Sequence, residues 1–211
     1  MSEAPRNLRR KEARPSEIIE AALQLFHQKG FSATKIDEVA IAAGVTKGTV
    51  YLYFPSKEAL FKAVVQERVL PNLAKMNEAA NQFAGSRADC LAYVLRGMAQ
   101  ALNECNGSIS KLMIAEAGNF PELAAFYNDE VVQPMHRAIR QILSEGIARQ
   151  EFREMDLEHM PRIVIAPIFM ANIWRHTYGH LDAQPLELMQ YAEIQIDVLL
   201  RGLLATPENK Q

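Results

Sequence analysis

Apolar residues recur along this chain at intervals of three and four, and no stretch alternates apolar with polar long enough to make a strand. That pattern predicts an all-α fold. Ile19, Ala22, Leu23 and Phe26 form the first stripe, on a helix expected to begin near Pro15-Ser16 and stop at Lys29-Gly30. Thr34-Lys35-Ile36-Asp37 has the form of a capping-box start, and Ile36, Val39, Ala40 and Ala43 stripe a second helix that Gly44 ends. Thr46 is placed to cap a third by accepting a bond from the Thr49 amide, with Val45 and Val50 as a hydrophobic staple. Phe54-Pro55-Ser56 breaks that helix. Ser56 caps a fourth, whose apolar side is Leu60, Phe61, Val64 and Val65 and which runs past residue 70, bent at Pro71.

Further helices are separated at Gly85-Ser86, Asn106-Gly107-Ser108, Phe120-Pro121, Glu154 to Asp156 and Gly179 to Gln184. Pro134, Pro161 and Pro167 fall inside helical patterns and predict kinks or boundaries. The last two helices, Leu157 to Tyr178 and Pro185 to Leu204, are the most apolar. Leu186, Met189, Ile196, Val198, Leu199, Leu200, Leu203 and Leu204 cover more than one face, which suits a helix touching both its own core and a partner, or one wholly buried.

With 211 residues the chain has room for a small domain fused to a larger one. The net charge of -2 hides a basic head: Arg6, Arg9, Arg10, Lys11, Arg14, Lys29, Lys35, Lys47, Lys57 and Lys62 all precede residue 63. A polyanionic partner for the head alone is the implication. Residues 163–174 are the longest apolar run, too short for the roughly 18 residues of a membrane span. The polar N-terminus has no apolar signal core, so a cytoplasmic location is expected. Cys90 and Cys105, if on one helix, stand about 22 Å apart and are expected to be free thiols. His176 and His180 have the i, i+4 spacing of a metal pair, but Gly179 falls between them and no acid completes the arrangement. No metal, cofactor or catalytic motif is expected.

Two short helices joined by a tight glycine turn, Thr34 to Ala43 and Thr46 to Tyr53, have the spacing of a DNA-reading helix-turn-helix. At 100° per residue Val50 and Phe54 face the core, Gly48, Thr49 and Leu52 lie opposite, and Tyr51 and Tyr53 take the shoulders. Small groups toward base edges with hydrogen-bonding shoulders suit a major groove. Leu52 fits either a thymine methyl or a neighbouring loop. Lys57 and Thr34 stand near helix N-termini, where amides and positive charge attract phosphate. The basic residues before the first helix read as a flexible arm for backbone or minor groove, or as a generic electrostatic tail.

Through residues 18–30, 34–44 and above all 45–60, VTKGTVYLYFPSKEAL, the chain resembles the TetR family of bacterial regulators over about residues 12–72. The resemblance implies a basic N-terminal arm (1–11), a DNA-binding domain (12–72) and an effector-binding and dimerisation domain of about six helices (73–211). It implies phosphate contacts from Thr34, Thr49, Tyr51 and Lys57, and base or groove contacts from Thr46, Lys47, Gly48 and Tyr53. The function it implies is a ligand-responsive repressor that binds a palindromic double-stranded operator as a homodimer and leaves it when a small-molecule effector enters the body. A helical enzyme or small-molecule binder with an incidental helix-turn-helix is the alternative, and an activator shares the same head. Beyond residue 72 there is no distinctive motif; the methionines and aromatics there, Met76, Met98, Met135, Tyr127, Phe169 and Trp174 among them, suit either an adaptable cavity or plain core.

Overall fold

The computed structural model describes residues 6–104 and 108–205. Among them are eleven α-helices: α1 (Arg6–Lys29), α2 (Ile36–Ala42), α3 (Lys47–Tyr53), α4 (Lys57–Arg68), α5 (Leu70–Asn81), α6 (Arg87–Glu104), α7 (Ser108–Glu116), α8 (Pro121–Tyr127), α9 (Gln133–Ala148), α10 (Met160–Thr177) and α11 (Leu188–Leu203). A π-turn at Asn128–Val132 joins α8 to α9, and a 3-10 turn at Gly179–Leu181 follows α10. The described residues contain no strand, only an isolated bridge between Phe152 and Leu204.

The start of α1 and the break between α4 and α5 differ from the sequence expectation. Helix α1 reaches back to Arg6, through Pro15, instead of starting at Pro15. Residues 8–14 are Leu, Arg, Arg, Lys, Glu, Ala and Arg, all strong helix formers, and their summed propensity outweighs the one proline. The segment expected as a flexible arm is therefore helical from Arg6; the side chains of Arg6, Arg9, Arg10 and Lys11 lie outside the described residues. The bend expected at Pro71 falls at Val69, and Pro71 sits in the first turn of α5, where a missing N–H costs nothing. Cys105 also lies outside the described residues. Cys90 is fully buried on α6, and burial pushes its thiol pKa up, so it is held protonated and unreactive.

The apolar stripes build two cores. In the first, Ile18, Ala22 and Phe26 of α1 meet Val39 and Ala40 of α2, Val50 of α3 and Leu60, Phe61 and Val64 of α4. Phe31, fully buried in the α1–α2 loop, lies 5.3 Å from the Phe26 ring, 5.6 Å from Phe61 and 4.7 Å from Phe120. This core does not stop at the head. Ile109, Leu112 and Met113 of α7 and Leu123 and Tyr127 of α8 belong to it, so the head cannot move without disturbing α7 and α8. The second core joins α6, α9, α10 and α11 through Leu91, Leu95, Ile139, Leu143, Ile168 and Leu203. Pro167 removes a donor within α10, and Gln195 of α11, itself buried, donates to the nearby Val164 carbonyl at 2.7 Å.

Polar ties cross between head and body. Glu116, at the end of α7, accepts from the Ser32 amide (3.0 Å) and hydroxyl (2.8 Å). Those bonds and Asn119 outweigh its burial and hold its pKa below the usual carboxylate range. Lys111 donates to the His176 carbonyl at 2.6 Å, closing the end of α10, and the His176 ring meets His27 of α1 edge-on at 6.0 Å. Burial, with the charges of Arg175, His27 and Lys111 adding to it, lowers the His176 pKa to about 4. Because the folded pKa lies below the unfolded value, folding here favours the neutral ring. The stability it contributes is whole above about pH 6.5 and is lost as pH falls toward 4, up to about 3 kcal/mol. Urea unfolding between pH 4 and 8 should show a shallower decline for His176→Asn than for the unaltered chain; parallel curves would remove this role.

His180, on the 3-10 turn, is exposed, and among the described residues no cluster of three metal-binding side chains forms.

Candidate nucleic-acid interface

The turn between α2 and α3 is set by its backbone bonds. Gly44 adopts φ +64°, the left-handed conformation that costs other residues most, while its N–H bonds the Ile41 carbonyl (3.1 Å) and the Val45 N–H bonds that of Ala40 (2.9 Å). These two bonds are a Schellman motif and end α2 within two residues. Helix α2 begins one residue later than the sequence suggested: Lys35, not Thr34, is the N-cap, and its amide donates to Glu38 at 2.9 Å. Thr46 caps α3 by accepting from the Thr49 amide at 3.1 Å, and the two threonine hydroxyls share a bond of 2.9 Å.

Helix α3 is rooted on one side and bare on the other. Val50 is fully buried and Phe54 nearly so. Thr46, Lys47 and Gly48 are exposed, Thr49 and Tyr53 half-buried, Tyr51 44% exposed and Leu52 78% exposed. Among the described residues no loop covers Leu52. Lys47 extends to Asp37 of α2, with 2.9 Å between ammonium and carboxylate. That pair raises the Lys47 pKa and keeps it cationic, and since both partners are more than half exposed the ammonium is available for exchange with a phosphate. Ile41 is 80% exposed at the end of α2 and had no sequence signal, since it falls off the helical stripe.

Two sequence candidates turn away from this face. Thr34 is 1% exposed; its hydroxyl donates to the Gly30 carbonyl at 2.7 Å and its amide to that of Phe31. The Lys57 ammonium donates to the carbonyls of Phe31 (2.7 Å), Ser32 (3.1 Å) and Thr34 (3.1 Å) and sits 4.5 Å from the centre of the Phe31 ring. Desolvation lowers its pKa. Lys57 thus binds the α1–α2 loop to α4, with its donors spent on the protein's own carbonyls. The candidates that the fold leaves exposed or half-exposed on α3 and at its cap are Thr46, Lys47, Gly48, Thr49, Tyr51 and Tyr53, with Leu52 beside them.

Nothing inside the chain demands the glycine at 48. A Cβ built there meets only the Thr46 hydroxyl, at 3.8 Å. Gly48→Ala is expected to stabilise the free protein by up to about 1 kcal/mol, through helix propensity, while weakening DNA binding by crowding the groove. Thermal melts and DNA titrations on the same variant check both signs; DNA affinity that is unchanged or improved would show that no surface approaches Gly48 closely.

A bare helix on a two-helix turn, joined to a larger helical body, defines a helix-turn-helix regulator. Comparison with known proteins is more specific. Residues 18–64 match the family model for bacterial regulatory proteins of the tetR family, and residues 84–189 match that for the tetracyclin repressor-like C-terminal domain. The chain belongs to the TetR family and is a ligand-responsive, DNA-binding transcriptional regulator.

It is 28% identical over 153 residues to the uncharacterized HTH-type transcriptional regulator YdeS of Bacillus subtilis, covering 72% of this chain and 74% of that one. It is 24% identical over 196 residues to the fatty acid metabolism regulator protein of the same organism, covering 92% and 98%. Three further relatives from Bacillus subtilis align over only 16% to 34% of their own length. Among solved structures, the transcriptional regulator FadR from Bacillus subtilis, in complex with stearoyl-CoA, superposes with TM-score 0.71 at 21% identity, covering 89% of this chain and 98% of that one. That likeness is one of fold.

Proposed function

We propose that the chain is a homodimeric repressor acting in the cytoplasm on a palindromic operator, released by an effector carrying an apolar chain. The observation that carries the DNA reading is the bare face of α3, rooted by Val50 and Phe54. The effector reading rests on a cavity of about 110 Å3 walled by α5, α6, α9 and α10, with Leu73, Met76, Met98, Met135 and Phe169 among its lining. The methionines let such a cavity widen for a longer chain. That a similar structure holds stearoyl-CoA and a relative is named a fatty acid metabolism regulator supports an acyl group as that chain.

Arg68 gives the cavity a route to the head. It lines the cavity at the end of α4 and donates to Glu20 of α1 at 2.7 Å. A chain that displaces the end of α4 pulls on that pair and on the core shared with α7 and α8, changing how α3 is presented. The coupling required is about 1 to 3 kcal/mol. Footprinting on genomic fragments is expected to protect a two-fold symmetric site, and octanoyl- through stearoyl-CoA to release it. Protection of a single half-site, or none, would rule out the dimeric reading; a footprint indifferent to every acyl-CoA would rule out the effector class alone.

A further inference from the structure

The cavity that would take the effector's apolar chain is not uniform along its length. Among the described residues lining it, only Arg68, Asn72, Ser110 and Tyr127 have polar side chains. Arg68 and Asn72 also line a cleft of about 550 Å3 beside α1, together with Gln24 and His27, so the two spaces adjoin at these side chains. Asn72 and Met76 are four residues apart on α5, on one face and about 6 Å apart along the axis. Met76 in turn lies against Gly97 of α6, where an added Cβ would stand 3.8 Å from its sulfur. The cavity thus has a polar end at Arg68 and Asn72 and an apolar end at Met76 and Gly97.

Ser110 of α7 and Tyr127 of α8 place a second polar group in its wall. Both are buried, 6% and 8% exposed, and their hydroxyls share a bond of 3.2 Å. That is longer than the roughly 2.7 to 2.8 Å usual between two oxygens, so the bond is a loose one. Each hydroxyl has one proton to give and two lone pairs, and the proton rotates to suit its surroundings. The mutual bond uses one proton and one lone pair, so the pair can keep it while a hydroxyl proton turns to a carbonyl oxygen in the cavity. A wall that met only hydrocarbon would gain nothing from either hydroxyl over alanine and phenylalanine.

We propose, resting on the reading of the effector as an acyl thioester, that Ser110 and Tyr127 recognise its carbonyl and so distinguish an acyl from an alkyl chain. The chain then extends toward Met76, Met98 and Phe169, and the carrier leaves past Arg68 and Asn72 into the cleft. Ile109 and Tyr127 belong to the core shared with the head, so a carbonyl held between α7 and α8 ties the ligand to the helices on which the head rests.

The test is calorimetric titration of the full chain with octanoyl-CoA and with S-octyl-CoA, which has the same carrier and chain length and a methylene in place of the carbonyl. Octanoyl-CoA is expected to bind roughly five-fold more tightly or better, the gain from about one neutral hydrogen bond. Ser110→Ala combined with Tyr127→Phe should bring the two affinities together by weakening octanoyl-CoA alone. Where the double substitution impairs folding, Ser110→Ala by itself should at least halve the ratio. Equal affinities in the unaltered chain, or a ratio that these substitutions leave intact, would overturn the proposal and leave the pair as a staple between α7 and α8, with the acyl-chain effector still standing. Binding of neither compound would overturn that effector class and the proposal with it.

Discussion

Trp174→Glu combined with Val198→Glu is expected to turn the protein into a well-folded monomer and to lower its operator affinity by at least a hundred-fold. On α10, Ile163, Met170 and Trp174, with Tyr178 at its C-cap, are 53%, 58%, 49% and 48% exposed at spacings of seven, four and four, which places them along one face. On neighbouring α11, Ile194 and Val198 are 60% and 63% exposed, four apart. Exposed apolar residues spaced this way on two neighbouring helices are what a dimer interface built from α10 and α11 would present. In a two-fold interface each substitution acts twice, and a carboxylate facing its own copy across an apolar contact is repelled as well as desolvated. A monomer engages one half-site and loses the additive contribution of the second. Analytical ultracentrifugation and circular dichroism decide the matter; a dimer that persists with these changes places the interface elsewhere.

Lys57→Met carries the second large effect, and its kind matters more than its size. The methionine keeps the stem over Phe31 but leaves the carbonyls of Phe31, Ser32 and Thr34 without their shared donor, a loss of roughly 2 to 3 kcal/mol. Operator affinity falls because the α1–α2 loop and α2 are less well held. The dependence of affinity on salt stays as it was, because no phosphate contact is removed. A salt slope reduced by about 0.9 per lysine would show that Lys57 leaves its carbonyls for the backbone of the DNA. Chemical denaturation measures the first effect and titrations at several salt concentrations the second.

The head was readable from sequence because its determinants are local. The Thr46 cap, the Gly44 turn and the stripes of Val39, Ala40 and Val50 depend on residues within four positions of one another, and the structure shows each of them. The burial of Thr34 and the carbonyl contacts of Lys57 were not readable, for a physical reason. A lysine beside a helix N-terminus looks like a phosphate site until the loop of residues 31–34 folds back and offers it three carbonyls, a tertiary event with no periodic trace. Nor did the pattern separate core from interface on α10 and α11. Ile168 is buried and Met170 exposed on one helix, Ile196 buried and Val198 exposed on the other, and apolarity on both sides conceals which side is left open. Arg68 gave no signal either, since a lone polar residue on an amphipathic helix reads as solvated surface.

The proposed reading of DNA depends on the exposed face of α3, and Lys47 is the one charged residue of that helix. The most direct measurement is the slope of log affinity against log salt for a symmetric operator, with and without Lys47→Ala. The unaltered dimer should show a steep negative slope, and the substitution should flatten it by about 1.8, or 0.9 for each of two lysines. A shallow slope that Lys47→Ala leaves untouched would mean that α3 does not lie against the DNA.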